Sequence, residues 1–326
     1  MKTATGVFRR SLLLGGVLAG LSPLVQAQAS RSTVRLVVPF TPGGSTDILA
    51  RAIGPHLVMS ADQSVIIDNK PGAGGSIGAD FVAKARPDGM VLLMGHIGTL
   101  AVNPSLYPRL PYDPVKSFEP VMGVARVPNV LVVSASSDVR SLKDLLAKAR
   151  ARPGQMTYSS GGNGSAAHIA FEFLKMRAGI FMTHIPYRGT VPSVTDVMAG
   201  HVDATFTGSP AVLSHIQGGR LRALAVSSNA RLPSLPHVPT VAESGFAGFE
   251  ADQWYGLVAP AGTPAELIRR LNELANSGLK HPDVIKQLSG EGAVPMGGSP
   301  QAFGGLIKTE IPRWREVVKV SGMKVD

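Results

Sequence analysis

Three stretches of the chain combine glycine with hydroxyl-bearing residues in a pattern that can hold an anion. They are Pro42-Gly43-Gly44-Ser45-Thr46-Asp47, Pro71-Gly72-Ala73-Gly74-Gly75-Ser76 and Ser160-Gly161-Gly162-Asn163-Gly164-Ser165. Glycine lets a backbone come close to a ligand, and a helix that starts at such a turn aims its first unbonded amides at whatever lies in front. A single loop of this kind serves equally well as a tight turn whose Ser, Thr or Asp caps the next helix. Three of them, each following an expected strand, favour a shared ligand at the carboxyl ends of the strands.

Other chemistries have weaker support. Gly74-Gly75-Ser76-Ile77-Gly78 spells the Gly-x-Ser-x-Gly string of a hydrolase nucleophile elbow, which would make Ser76 the nucleophile of a periplasmic serine hydrolase. That serine should leave its strand on a sharp turn, and here residues 69–73 intervene. Gly162-Asn163-Gly164-Ser165-Ala166-Ala167 spells a dinucleotide fingerprint, but no acid follows about 20 residues on to hold the ribose. The histidines form no i, i+3 or i, i+4 pair on one helix, cysteine is absent and there is no Walker loop, so no metal and no cofactor are expected. His168, four residues into the helix after the third loop, is open to a ligand role or to a local hydrogen bond.

The elements that must carry these loops follow from hydrophobic periodicity. Strands are expected at 35–40, 64–68, 91–95, 129–134, 156–159, 182–186, 202–207, 221–227 and 254–259. Helices are expected at 46–58, 77–85, 141–150, 165–178, 193–199, 264–279, 282–288 and 299–320. The alternation predicts an α/β fold, and nine strands are too many for one typical sheet, so two lobes follow, each with a mainly parallel sheet flanked by helices. The irregular stretches 103–128 and 232–248 mark two crossings. Lobe one is expected over residues 30–126 plus 250–326, and lobe two over 127–249.

Residues 1–29 carry Lys2, Arg9 and Arg10, then an apolar run with Ser22 and Pro23, then small residues suited to cleavage after Ala27 or Ala29. This predicts a cleaved signal peptide, export by the Sec route and a periplasmic protein. The 326 residues carry a formal charge of +10, which becomes +7 without the leader. Low aromatic content (6%) and the lack of a Lys/Arg cluster argue against nucleic acid, leaving attraction of small anions as the use of that charge.

Several longer strings, taken together, resemble one family. They include Pro39-Phe40-Thr41-Pro42-Gly43-Gly44-Ser45-Thr46-Asp47, Asp68-Asn69-Lys70-Pro71-Gly72-Ala73-Gly74-Gly75, Asn103-Pro104-Ser105-Leu106-Tyr107, Pro128-Asn129-Val130-Leu131-Val132, His184-Ile185-Pro186-Tyr187-Arg188-Gly189 and Val238-Pro239-Thr240-Val241-Ala242-Glu243-Ser244-Gly245. In this order they resemble the Bug receptors, the extracytoplasmic solute-binding proteins of tripartite tricarboxylate transporters. The resemblance spans essentially the whole chain after the leader.

It implies a two-lobed periplasmic-binding-protein fold that closes on its ligand like a flytrap and carries no catalytic machinery. It implies a small organic carboxylate as ligand, inner-membrane transporter subunits as partners and a monomeric receptor; a receptor that feeds a sensor kinase is the alternative. The carboxylate grip it implies in lobe one falls on Gly43, Gly44, Ser45, Thr46 and Asp47, on Gly72, Ala73 and Gly74, and on the turn with Gly98 and Thr99. From lobe two it implies Ser160, Gly164, Ser165 and His168, with Phe40, Tyr187 and Thr207 completing the expected site. Many relatives carry an acid or amide where this chain has Thr207-Gly208-Ser209, which disfavours a ligand with an amino group.

Overall fold

The computed structural model describes residues 33–323, so the expected leader lies outside the described residues. The chain opens with β1 (Thr33–Val38), α1 (Ser45–Ile53), β2 (Ser64–Asn69), α2 (Ser76–Ala83), β3 (Val91–His96), the short α3 (Asn103–Leu106) and β4 (Phe118–Val127). There follow β5 (Asn129–Ser134), α4 (Leu142–Ala151), β6 (Thr157–Ser160), α5 (Ala166–Ala178), β7 (Thr183–Pro186), α6 (Thr190–Ala199), β8 (Ala204–Gly208), α7 (Leu213–Gln217) and β9 (Leu221–Val226). The last segment holds β10 (Gln253–Pro260), α8 (Ala265–Leu279), α9 (Pro282–Gly290), β11 (Val294–Gly297) and α10 (Pro300–Ser321).

These strands build two sheets, in the order β11-β4-β10-β3-β1-β2 and β7-β6-β8-β5-β9. Each of the nine expected strands has a counterpart. The expectation of mainly parallel sheets needs correction, because both sheets are mixed. β1 runs parallel to β2 and β3, whereas β10 is antiparallel to β3 and β4, and β4 to β11. In the second sheet β6 runs parallel to β7 and β8, while β5 is antiparallel to β8 and β9. The cause is the crossing: β10 returns from the second sheet and inserts between β3 and β4 against their direction.

β4 and β11 escape the sequence reading. Pro120 and Gly123 make β4 look irregular, yet the strand holds by slipping register against β10 at two points, between Tyr255 and Gly256 and between Leu257 and Val258. The residues skipped at these two bulges are Val124 and Val121, while Gly123 and Pro120 keep their places opposite Gly256 and Val258.

β1 buries alternate residues on opposite faces, with Leu36 and Val38 packing among Leu49 and Ile53 of α1 and Val37 in the core that α2 and α10 cover. That sandwiched strand is what makes its carboxyl end a rigid mount for the first glycine loop. β5 does the same for the second sheet, splitting Leu131 and Val133 from Val130 and Val132. Trp314 of α10 meets Phe173 of α5 edge-on at 6.1 Å, so the C-terminal helix packs against the second sheet's layer as well as the first.

Candidate functional site

The first loop is held by a buried carboxylate. Asp47 is 3% exposed; its Oδ2 accepts the Gly43 amide at 3.0 Å and Arg51 Nε at 2.9 Å, while its Oδ1 accepts Asn69 Nδ2 at 3.0 Å. Burial raises its pKa, but hydrogen bonds from Arg51, Gly43 and Asn69 outweigh that and hold it below the ordinary 3.8. Asn69 also donates to the Phe40 carbonyl at 3.0 Å. These bonds fix residues 40–44 so that Ser45 and Thr46, in the first turn of α1, present amides with no intrahelical acceptor.

The second loop is a left-handed run: Gly72, Ala73, Gly74 and Gly75 all have positive φ. Asn103 anchors it, donating through Nδ2 to the Gly74 carbonyl at 3.0 Å and to Ser76 Oγ at 3.1 Å. Ser76 is 4% exposed and engaged in that bond at the start of α2, which is no place for a nucleophile. In the third loop Ser165 caps α5 by accepting the His168 amide, and His168 Nδ1 accepts the Gly164 amide at 3.1 Å. The His168 ring stacks on His184 at 3.9 Å, and Ser160 Oγ lies 2.6 Å from His184 Nε2. Burial pushes the His184 pKa down from 6.5 to about 4, and burial, then His184 and Lys175, push His168 well below 6.5.

Between the sheets lies an inner cavity of about 30 Å³, lined by Phe40, Gly44, Ser45, Thr46, His96, Ser165, Ala166, Ala167, Thr190, Thr207, Gln253 and Tyr255. It has room for about two waters. Three helices begin at its wall: α1 at Ser45, α5 at Ala166 and α6 at Thr190. Each helix start carries partial positive charge and spare amides. The lining contains no Asp, Glu, Lys or Arg. His96 Nδ1 accepts the Thr99 amide at 3.1 Å, and burial lowers the ring's pKa to about 4, so it is neutral with its proton on Nε2. The cavity is thus donor-rich, positively polarised and free of fixed charge.

Phe40 separates it from an outer cavity of about 670 Å³, whose walls include Gly72, Ala73, Gly74, Tyr107, Asn163 and Tyr187. A third cavity, of about 880 Å³, lies between α8 and α10, and none of the glycine loops reaches it.

Of the residues expected in the site, Phe40, Gly44, Ser45, Thr46, Ser165 and Thr207 line the inner cavity. Gly72, Ala73, Gly74 and Tyr187 line the outer one. Gly43 is exposed and lines neither cavity, while Asp47, Gly98, Thr99, Ser160, Gly164 and His168 are buried behind these walls, where Asp47 and His168 hold the loops from beneath. Ala166, Ala167, Thr190, Gln253 and Tyr255 were not anticipated. Ala166 and Ala167 could have been found from the Ser165 cap, whose helix they start; Gln253 and Tyr255 belong to a strand with no glycine loop to mark it.

A family model described as tripartite tricarboxylate transporter family receptor matches residues 49–323. Protein BugT of Bordetella pertussis is 40% identical over 309 residues, covering 94% of this chain and 95% of its own. Among solved structures, R. palustris Rpa4515 with adipate superposes with a TM-score of 0.86 at 40% identity, covering 90% of this chain and 98% of that one. The periplasmic binding protein BugD superposes with a TM-score of 0.85 at 33% identity, with coverage of 90% and 98%.

Proposed function

This chain belongs to the tripartite tricarboxylate transporter receptor family, and from that premise we propose that it captures a small organic carboxylate without an amino group and delivers it to membrane subunits of a transporter. It is a solute-binding protein rather than an enzyme, as its relatives are. The observation that carries the ligand class is the meeting of three helix N-termini on one inner cavity whose walls hold no charged side chain. Each N-terminus favours an anion by roughly 0.3–1 kcal/mol, and hydroxyls of Ser45, Thr46 and Thr207 add donors. An ammonium group would enter the same field unfavourably and find no carboxylate there.

A carboxylate group fits the inner cavity, and the rest of a longer ligand then extends past the Phe40 ring toward the outer one. The bound structure of the relative Rpa4515 with adipate supports this class. The family places the receptor in the periplasm, in keeping with the leader expected over residues 1–29. A thermal-shift screen of mono-, di- and tricarboxylates, adipate included, tests the reading. A ligand at 100 times its dissociation constant adds about 2.7 kcal/mol of stability. A screen in which only amino acids shift the melting temperature overturns it.

A further inference from the structure

The two segments that cross between the sheets run side by side and are joined at Asn129. Its amide donates to Ser227 Oγ at 2.8 Å, its carbonyl accepts the Ser227 amide at 2.9 Å, and its Nδ2 donates to the Ala251 carbonyl at 2.6 Å. The remaining side-chain atom, Asn129 Oδ1, accepts from Gln253 Nε2. Gln253 Oε1 in turn accepts from the Tyr255 hydroxyl, which lies beside Ser45 and Thr46 at the start of α1. Asn129, Gln253 and Tyr255 are 1%, 4% and 1% exposed. Gln253 and Tyr255 line the inner cavity; Asn129 does not.

A buried amide with both ends engaged has one orientation, because turning it leaves donors facing donors. The Gln253 amide is oriented on one side by Tyr255, in the cavity, and on the other by Asn129, at the crossing. A group that binds beside Tyr255 therefore acts on the crossing through Gln253. We propose that Tyr255, Gln253 and Asn129 form a polar latch between the inner cavity and the crossing segments, and that Gln253 is the positioning residue through which an occupant sets the balance of open and closed forms. This rests on the reading of the cavity as a carboxylate site.

The chain has no cysteine, so spin labels can be placed cleanly at Lys84→Cys and Arg152→Cys, two exposed positions beside different sheets. Inter-label distances are measured by pulsed EPR with no additive and with adipate, and adipate affinity by calorimetry. Gln253→Met keeps the side chain's length and removes both bonds; Asn129→Ala removes the partner that no ligand touches. Each should lengthen the distances and weaken adipate binding at least tenfold, and the double variant should be no worse than either alone. Wild-type distances in Gln253→Met, or an adipate affinity within twofold of wild type in Asn129→Ala, overturn the latch while leaving the ligand reading intact. Lengthened distances in both variants, together with a wild-type protein that binds no carboxylate, uphold the latch and overturn the ligand reading.

Discussion

The Tyr107 hydroxyl donates to the Asn163 carbonyl at 3.1 Å, tying the segment after α3 to the third glycine loop across the cleft. A methyl group on Gly74 would land against that same carbonyl. Both contacts bring loops of the first sheet against the third glycine loop of the second. Tyr107→Phe should weaken carboxylate binding by about 0.5–1.5 kcal/mol, the usual net worth of one hydrogen bond. Gly74→Ala should weaken it further by wedging the loops apart. Calorimetry with adipate checks both, and an unchanged affinity in Gly74→Ala would show that the loops do not meet when ligand is held.

Asp47 should prove structural in its effect on the site. Asp47→Ala frees the Gly43 amide, Asn69 and Arg51 together and is expected to cost about 1–3 kcal/mol of apo stability along with ligand affinity. Arg51→Ala, at a half-exposed cation, should cost less than about 1 kcal/mol. Denaturant titration of the two variants separates them. Equal losses would mean that the ion pair, rather than the loop anchor, is what Asp47 supplies.

Stability should fall as the solution is acidified from pH 6.5 toward 4. His96 and His184 are held neutral by burial with pKa values of about 4, against an ordinary 6.5 that applies to the unfolded chain. Below 6.5 the unfolded state takes up protons that the folded state refuses, so the loss is complete only once the folded pKa is passed. Asp252 has the opposite sign. Burial raises its pKa from 3.8 to about 6, so it favours the folded state below 3.8 and that contribution is lost as pH rises through 6. Asp252→Asn should therefore raise the melting temperature at pH 7.5 and leave it nearly unchanged at pH 3.5. Calorimetric scans across this range test both signs.

Placing a carboxylate in the inner cavity should invert its preference. Thr207 is 4% exposed in β8 and lines that cavity, so Thr207→Asp sets a negative charge where three helix starts favour an anion. Adipate binding should drop by at least 100-fold, while a ligand bearing an amino group gains a partner. Retained adipate affinity in a correctly folded variant would move the carboxylate out of this cavity.

Much of this arrangement is legible in residue types alone. Glycines at positions of positive φ and the hydroxyls beside them are visible without a structure because each loop is contiguous. Strand β4 is not legible, since Pro120 and Gly123 break its pattern and only pairing with β10 shows that they sit in the ladder, with Val121 and Val124 bulged beside them. Gln253 and Tyr255 are missed for a related reason: a cavity wall made by alternate residues of a strand looks like any buried strand until its neighbours are known. For His168, spacing from Ser165 puts both on one helix face but leaves open which way the ring turns. The Gly164 amide, bonded to Nδ1, decides it.

The place of β10 bears on how the protein comes to fold at all. Its strand sits in the middle of the first sheet, between β3 and β4, yet it is residues 253–260 of the chain. Until it emerges, β4 and β3 have no common neighbour, and the first three strands cannot bury both faces. The second sheet, built wholly from residues 129–226, has no such delay. Pairings this distant in sequence form late, so the first sheet is expected to be completed after the second.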